Sequence, residues 1–346
     1  MINKDESQIN PLSLVVMRYK LDENEELKNF KQRFYFDGSA VQKKIVRIAL
    51  ADVAVNDTEL RPVVISINRL MKLLDLCDTG RNYSKLKDKL NRSIDIAMYN
   101  ETVPMKDGKA NPKEGKYKKT MIFSSIEIDL KTNLVYLEFN EKLKDFLIGI
   151  DKNFVAYRLG NILSLSGKYS IPAFEYFKRN AFKRRVLVTA DELKEMFFGI
   201  EIPKKYQKNS EFFSRIIAPA IDEVNEKTEL NVSMTKLGRS RDTYSEVLFD
   251  ISEKSKKDFI EVKRDVWGLS EEEILRDIEY VKNIKKMNAE EKENRAKVAR
   301  QKRNEERTIR VTAELQLLRE EKEARRRMIE RKITDDITDK DLPFQD

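Results

Sequence analysis

Between Arg185 and Ile251 the apolar residues change their spacing in an order that few folds accommodate. Val186 to Val188 read as a strand, and Thr189 with Glu192 three residues on forms a capping box that opens a helix over Ala190 to Phe198. A basic loop leads into a second helix, from Ser210 to about Thr228, whose buried face is Phe213, Ile217, Ala220, Ile221 and Val224. Two alternating strands, Leu230 to Leu237 and Tyr244 to Ile251, are joined by Gly238-Arg239-Ser240-Arg241-Asp242. Strand, helix, helix, hairpin is the order of a winged helix, in which the second helix enters the major groove of DNA and the hairpin lies along the neighbouring backbone. Pro219 falls inside that second helix and removes one of its hydrogen bonds. A kink is expected there, separating an N-terminal reading half from a C-terminal half that packs.

The same pattern occurs earlier in the chain. With Ser66 aligned to Thr189, an apolar strand precedes each hydroxyl, each hydroxyl can cap a helix, and Leu70, Leu73 and Leu74 answer Leu193, Met196 and Phe197 at identical offsets. Thr189 is the firmer cap, because Arg69 stands where a capping box needs Glu or Gln. The next helix is expected over Asn82 to about Ile96, with Leu86, Leu90 and Ile94 on its core face and Lys85, Lys87, Lys89 and Arg92 elsewhere. Ala97 to Val103 and Thr120 to Ile128 alternate like strands. The connection between them carries Lys106, Lys109, Lys113, Lys116, Lys118 and Lys119 and reads as a flexible, positively charged wing. Leu134 to Phe139 adds a third strand, Glu141 to Ile148 a short closing helix, and Ser39 to Val53 a packing helix ahead of the unit.

At 346 residues the chain exceeds a single core, and its formal net charge of +8 favours an anionic partner. There is no histidine, which excludes mixed Cys and His zinc sites, histidine acid-base triads and histidine-metal nickase chemistry. Gly167-Lys168 invites a phosphate-loop reading, but the first glycine of that motif falls at Ile162 and its final hydroxyl position is Tyr169. No cofactor, metal site or enzymatic activity is expected. The lone Cys77 excludes an internal disulfide framework and fits a small core-facing thiol in a reducing cytoplasm. No apolar run approaches a membrane span, so the expected protein is soluble and cytoplasmic with no membrane partner.

The expected class is α+β: two tandem winged-helix domains followed by a long charged helical extension. The divisions are an N-terminal segment at 1–30, a first domain at 31–150 for dimerisation and DNA contact, a second at 151–255 that does most of the DNA reading, and a tail at 256–346. Ser270 with Glu273 is a further capping box, and from there to about Lys332 the chain lacks Pro and Gly and is dense in Glu, Lys and Arg, which predicts a long helix without a sustained coiled-coil seam. Trp267, the sole tryptophan, is expected to pack the base of the tail onto the second domain.

Phe154 to Leu165, Ser170-Ile171-Pro172-Ala173-Phe174-Glu175-Tyr176-Phe177, Val188-Thr189-Ala190-Asp191-Glu192-Leu193, and Ile217-Ala218-Pro219-Ala220-Ile221-Asp222-Glu223-Val224-Asn225 followed by Thr228-Glu229-Leu230-Asn231-Val232 together resemble the iteron-binding plasmid initiators of theta replication. The resemblance runs over roughly residues 10 to 251 and implies sequence-specific binding to repeated origin sites, both domains gripping one repeat as a monomer. It further implies a homodimer in equilibrium with the monomer, repression of the protein's own promoter by dimers, and recruitment of the host helicase and its loader without catalysis. The tail beyond 252 has no place in the family pattern, and the start of the second helix is less basic than that pattern suggests.

The expected DNA-binding residues follow. Lys204, Lys205, Tyr206 and Lys208 cluster just before the reading helix, where phosphate is well held. Ser210, Ser214 and Arg215 lie on its leading turns, and Arg215 has the reach either to read a guanine edge bidentately or to hold a phosphate. Lys236, Arg239 and Arg241 on the hairpin suit backbone or minor-groove contact. In the first domain Lys85, Lys87, Lys89 and Arg92 either touch DNA or form a solvated face. Two other readings share these features: a winged-helix transcription regulator without a replication role, and a scaffold whose charged tail is the active part.

Overall fold

The computed structural model describes residues 11–18, 30–53, 57–76, 80–106, 109–110, 114–148, 154–199, 202–240, 243–280 and 282–283. The chain divides into a unit at Met1–Ile274 and another at Leu275–Asp346. The helix expected of the tail starts at residue 271 under the predicted box, in which the Glu273 amide donates to Ser270 Oγ and the Ser270 amide to Glu273 Oε2. The rest of that expectation, beyond residue 283, lies outside the described residues.

The first part of the chain runs β1 (Leu14–Arg18), β2 (Phe30–Asp37), α1 (Ala40–Leu50), β3 (Val63–Ser66), α2 (Ile67–Leu73), α3 (Gly80–Ser93), β4 (Ala97–Lys106), β5 (Lys109–Ala110), β6 (Lys116–Met121), β7 (Phe123–Asp129), β8 (Leu134–Phe139) and α4 (Lys144–Leu147). Ser66 caps α2 through its hydroxyl alone, with the Arg69 amide donating to it. The wing of this unit is not where alternation put it. Thr120 to Ile128, which reads as one strand, is two: β6 pairs with β4 in a sheet with β2, whereas β7 pairs with β8, which pairs with β3. The chain changes sheets at Ile122, whose amide donates to Ile96 O, whose carbonyl accepts from the Asn140 amide, and whose side chain is buried. The hairpin belonging to the winged helix is therefore β7–β8, with a tight turn in which the Lys131 amide and Thr132 hydroxyl donate to Asp129 and Asn133 takes φ 59°. Lys116, Lys118 and Lys119 lie on strand β6 of the separate sheet, and Lys106 ends β4.

The second part runs β9 (Phe154–Arg158), α5 (Gly160–Leu163), α6 (Ser170–Asn180), β10 (Arg185–Thr189), α7 (Ala190–Phe198), α8 (Asn209–Phe212), a π turn (Phe213–Ile217), α9 (Ala218–Lys227), β11 (Leu230–Ser240), β12 (Thr243–Glu253) and α10 (Lys256–Glu261). The sheet order β10-β12-β11 repeats β3-β8-β7, so both units have the first strand paired to the last. Thr189 and Glu192 make the full capping box of α7. Where the kink is expected the helix widens into a π turn. Pro219 has no amide to give to Arg215 O and its ring crowds that carbonyl, and wider winding relieves both.

The most specific residues of the proline-centred helix prove to be anchors. The Glu223 carboxylate accepts from the Ser166 amide and hydroxyl, both 2.6 Å, and from the Gly167 amide at 3.0 Å. Burial alone would raise that carboxyl, but the Ser166 and Ser170 hydroxyls and the two amides outweigh it and hold it at about 2. Asn225 bridges Val232 of β11 through both its amide groups, at 2.8 and 2.7 Å. Trp267 lies flat against Gly160, with its indole N–H donating to Lys227 O at 3.2 Å and Phe259 edge-on at 5.4 Å.

A methyl group at Gly160 would stand 2.5 Å from the Trp267 ring, so Gly160→Ala is expected to expel the indole. Overpacking of this kind costs about 1–3 kcal/mol, and the single tryptophan reports it directly as a red shift of emission together with a lower Tm. A second expectation concerns Glu223, whose folded pKa lies below its unfolded value. Its stabilisation is complete above the unfolded pKa and is lost as pH falls towards about 2. Denaturant melts should show wild type exceeding Glu223→Gln by roughly 1–3 kcal/mol at neutral pH, with the gap closing between about pH 4.5 and pH 2.

Candidate nucleic-acid interface

The leading end of the helix expected to read DNA, formed by α8, the π turn and α9 and called the reading helix for that expectation, is held by apolar packing beneath it. Phe212 and Phe213 are fully buried, and with Phe197, Phe198, Tyr169 and Tyr206 they form a cluster of mostly edge-on rings 5.3 to 6.4 Å apart. This cluster corrects one expectation: Tyr206 is not presented to solvent. Its ring is 7% exposed and stacks on Phe198 at 5.3 Å and 10°, because a short helical turn at Lys204–Tyr206 points the aromatic inward and leaves the two lysines outside.

Lys204, Lys205 and Lys208 are exposed around that turn, and the Lys205 ammonium lies 4.7 Å from the Tyr206 ring centroid. Ser210, Ser214 and Arg215 follow on the exposed side of the helix, so the structure brings these six together at one end of one element. Arg215 is 69% exposed and paired with Glu211, Nε to Oε2 at 2.5 Å. The hairpin runs alongside, since the exposed Lys236 on β11 places its ammonium 5.7 Å from the Phe213 ring centroid. Arg239 lies on β11 opposite Tyr244, and Gly238 takes φ 66° just before it. The side chain of Arg239, and Arg241 altogether, fall outside what is described.

In the first unit α3 holds the position that the reading helix holds in the second, after β3 and α2. Lys85, Lys87 and Arg92 are exposed on it, Lys89 is half-buried, and Leu86 and Leu90 face the core. These cations belong to a separate element from the Lys204 to Arg215 group.

Sequence reasoning missed Lys194. Its side chain is only 4% exposed, and its ammonium donates to Gln207 O at 2.6 Å and to Asn209 Oδ1. It thus ties α7 to the first residue of α8 and fixes where the reading helix begins. A lysine on an amphipathic helix reads as solvated, and nothing in its spacing signals otherwise. Glu211, the partner of Arg215, is a second omission, although its i, i+4 spacing from the arginine is a recognisable pairing signal. Among the described residues no group of three or more Cys, Asp or Glu is arranged to hold a metal ion, and no helix is long and apolar enough to cross a membrane.

Comparison with known proteins gives a consistent result. A family model described as Initiator Replication protein, WH1, matches residues 13–178, and one described as Initiator Rep protein, WH2, matches residues 189–251. Among solved structures the chain is similar to the Pi initiator protein, crystallised in complex with iteron DNA. The two share 18% identity at a TM-score of 0.52, over 72% of this chain and all of that one. Domains 2 and 3 of RctB give a looser likeness, 10% identical at a TM-score of 0.38 over 68% of this chain and 95% of that one. No curated protein sequence matches the chain. With two winged helices of the same strand order, matched one after the other by the two halves of a single family's description, the chain belongs to the initiator replication protein family.

Proposed function

We propose that this protein initiates plasmid replication by binding repeated origin DNA sequence-specifically, with both winged helices gripping one repeat. The observation that carries the reading is the exposed leading end of the reading helix. Lys204, Lys205 and Lys208 surround a helix N-terminus, where backbone amides and positive charge favour phosphate, and Ser210, Ser214 and Arg215 extend along the side that a major groove would meet. Lys236, Arg239 and Arg241 on the hairpin take the adjoining backbone or minor groove, and Lys85, Lys87, Lys89 and Arg92 on α3 contribute from the first unit. The relative crystallised with iteron DNA supports repeated sites as the target.

On this reading the domains divide at 31–150 and 151–255, and the work is binding rather than catalysis. The protein acts in the cytoplasm, its homodimer exchanges with the monomer and represses its own promoter, and the DNA-bound form recruits the host helicase and its loader. The family resemblance supports these finer statements. The test is maintenance of a plasmid that cannot replicate by itself, once it carries this gene with its upstream repeats. Loss of the plasmid, with binding to the promoter intact, would leave a transcription regulator in its place.

Three outcomes are expected from binding titrations on a footprinted repeat. Affinity should fall by about 10³- to 10⁵-fold between roughly 50 and 200 mM salt, the signature of six to ten phosphate contacts; a flat response would point to a protein scaffold. Arg215→Ala should reduce discrimination between the repeat and unrelated DNA by about 1–3 kcal/mol if the guanidinium reads a base, and weaken both equally if it holds phosphate. Lys194→Met should weaken repeat binding about tenfold although Lys194 touches no DNA, because two acceptors at the helix start, Gln207 O and Asn209 Oδ1, lose their donor.

A further inference from the structure

The two winged units are joined by α1, a helix whose cations point away from solvent. Arg47 is 1% exposed and forms a bidentate pair with Glu175 of α6, Nε to Oε1 and Nη2 to Oε2, both 2.9 Å. The Tyr157 hydroxyl donates to the same carboxylate at 2.5 Å, and the guanidinium lies 4.7 Å from the centroid of the Phe36 ring. About one turn towards the N-terminus of α1, the Lys44 and Lys43 ammonium groups donate to Leu163 O at 2.6 Å and Lys168 O at 3.2 Å. Lys168 in turn reaches back to Asp37 at 3.6 Å. On its other side α1 holds the first unit's helix: the Gln42 amide donates to Arg92 O, at the end of α3, at 2.5 Å. Because α6 packs against α9, a continuous path runs from α3 through Gln42, Arg47 and Glu175 to the helix that carries the second reading end.

We propose that the Arg47–Glu175 pair is a positioning device that sets the distance and angle between α3 and the reading helix, and so the spacing of DNA contacts the protein accepts. This rests on the reading that both units grip one repeat. Two parallel hydrogen bonds between planar groups fix an angle as well as a distance, which apolar packing alone does not. A buried pair of this kind adds little net stability and can be replaced by apolar side chains of similar length without unfolding the protein. Geometry and stability are therefore separable by experiment.

The test uses the full chain with Cys77 replaced by Ser and spin labels at Asp88 of α3 and Asp222 of α9, both exposed. Wild type should give one narrow distance distribution, and Arg47→Met/Glu175→Met a broad one with a cooperative melt retained, its Tm lowered by no more than the loss of the Tyr157 acceptor accounts for. Arg47→Lys, which keeps the charge and loses the fork, should fall between them. On DNA, one to four base pairs are inserted between the two protected segments of the footprinted repeat. Wild type should lose at least about tenfold in affinity per insertion, and the double variant under about threefold. A double variant that keeps both the narrow distribution and the full insertion penalty overturns the device. If wild type tolerates the insertions, the two-unit grip fails instead, and the spin-label distances still say whether the pair orients the helices.

Discussion

The constraint on which the reading surface depends is the spacing of buried residues along one helix. Phe212 with Phe213, Ile216 with Ile217, Ala220 with Ile221, and Val224 are all buried, a strict four-residue repeat. At about 100° per residue an α-helix turns 400° in four residues, so such a stripe drifts by roughly 40° per repeat and would leave the core within three repeats. A π turn has more residues per turn and takes back most of that drift. It lies at Phe213–Ile217, where Pro219 withholds its amide, so the residue that costs the helix a hydrogen bond also places the unwinding where the apolar stripe requires it. The exposed residues obey the same geometry: Ser210, Ser214 and Arg215 stay on one side only because the stripe opposite them stays on the core.

Anchoring the C-terminal half makes this useful. Glu223 is pinned to the Ser166-Gly167 loop and Asn225 to Val232, so neither rotation nor sliding of α9 is free. At the other end Lys194 fixes the start. The ion pair of Arg47 with Glu175 applies the same logic to the whole unit. Burial alone would lower the pKa of the guanidinium, and Glu175 with Tyr157 raises it above its ordinary value, so Arg47 stays charged. Desolvating two ions costs several kcal/mol and their attraction roughly offsets it. What remains is direction, which the proposed two-unit grip on one duplex would use.

Much of this was legible because it is local. A box at Thr189 and a bare cap at Ser66 follow from whether Glu or Arg stands three residues on, and both were found. The order of elements in the second unit follows from apolar spacing and was read to within a few residues. The failures are tertiary. Thr120 to Ile128 reads as one strand only if the break in its alternation, Met121-Ile122-Phe123 followed by Ser124-Ser125, is passed over; the backbone partners of Ile122, Ile96 and Asn140, divide it there. Tyr206 sits among lysines in sequence and among phenylalanines in space, because a single helical turn separates the two environments. Lys194, Lys43 and Arg47 are buried cations, and an amphipathic pattern assigns cations to solvent by default.

The weak positive charge at the start of the reading helix also has a physical account. Glu211 and Arg215 are 41% and 69% exposed, and a pair so open to water contributes about 0–1 kcal/mol. The pair therefore costs little to break, whether the proposed partner of Arg215 is a guanine edge, where bidentate contact is worth about 1–3 kcal/mol, or a phosphate. On the proposed function the exposed Lys204, Lys205 and Lys208 supply the charge that any duplex feels, and discrimination is left to the helix they flank.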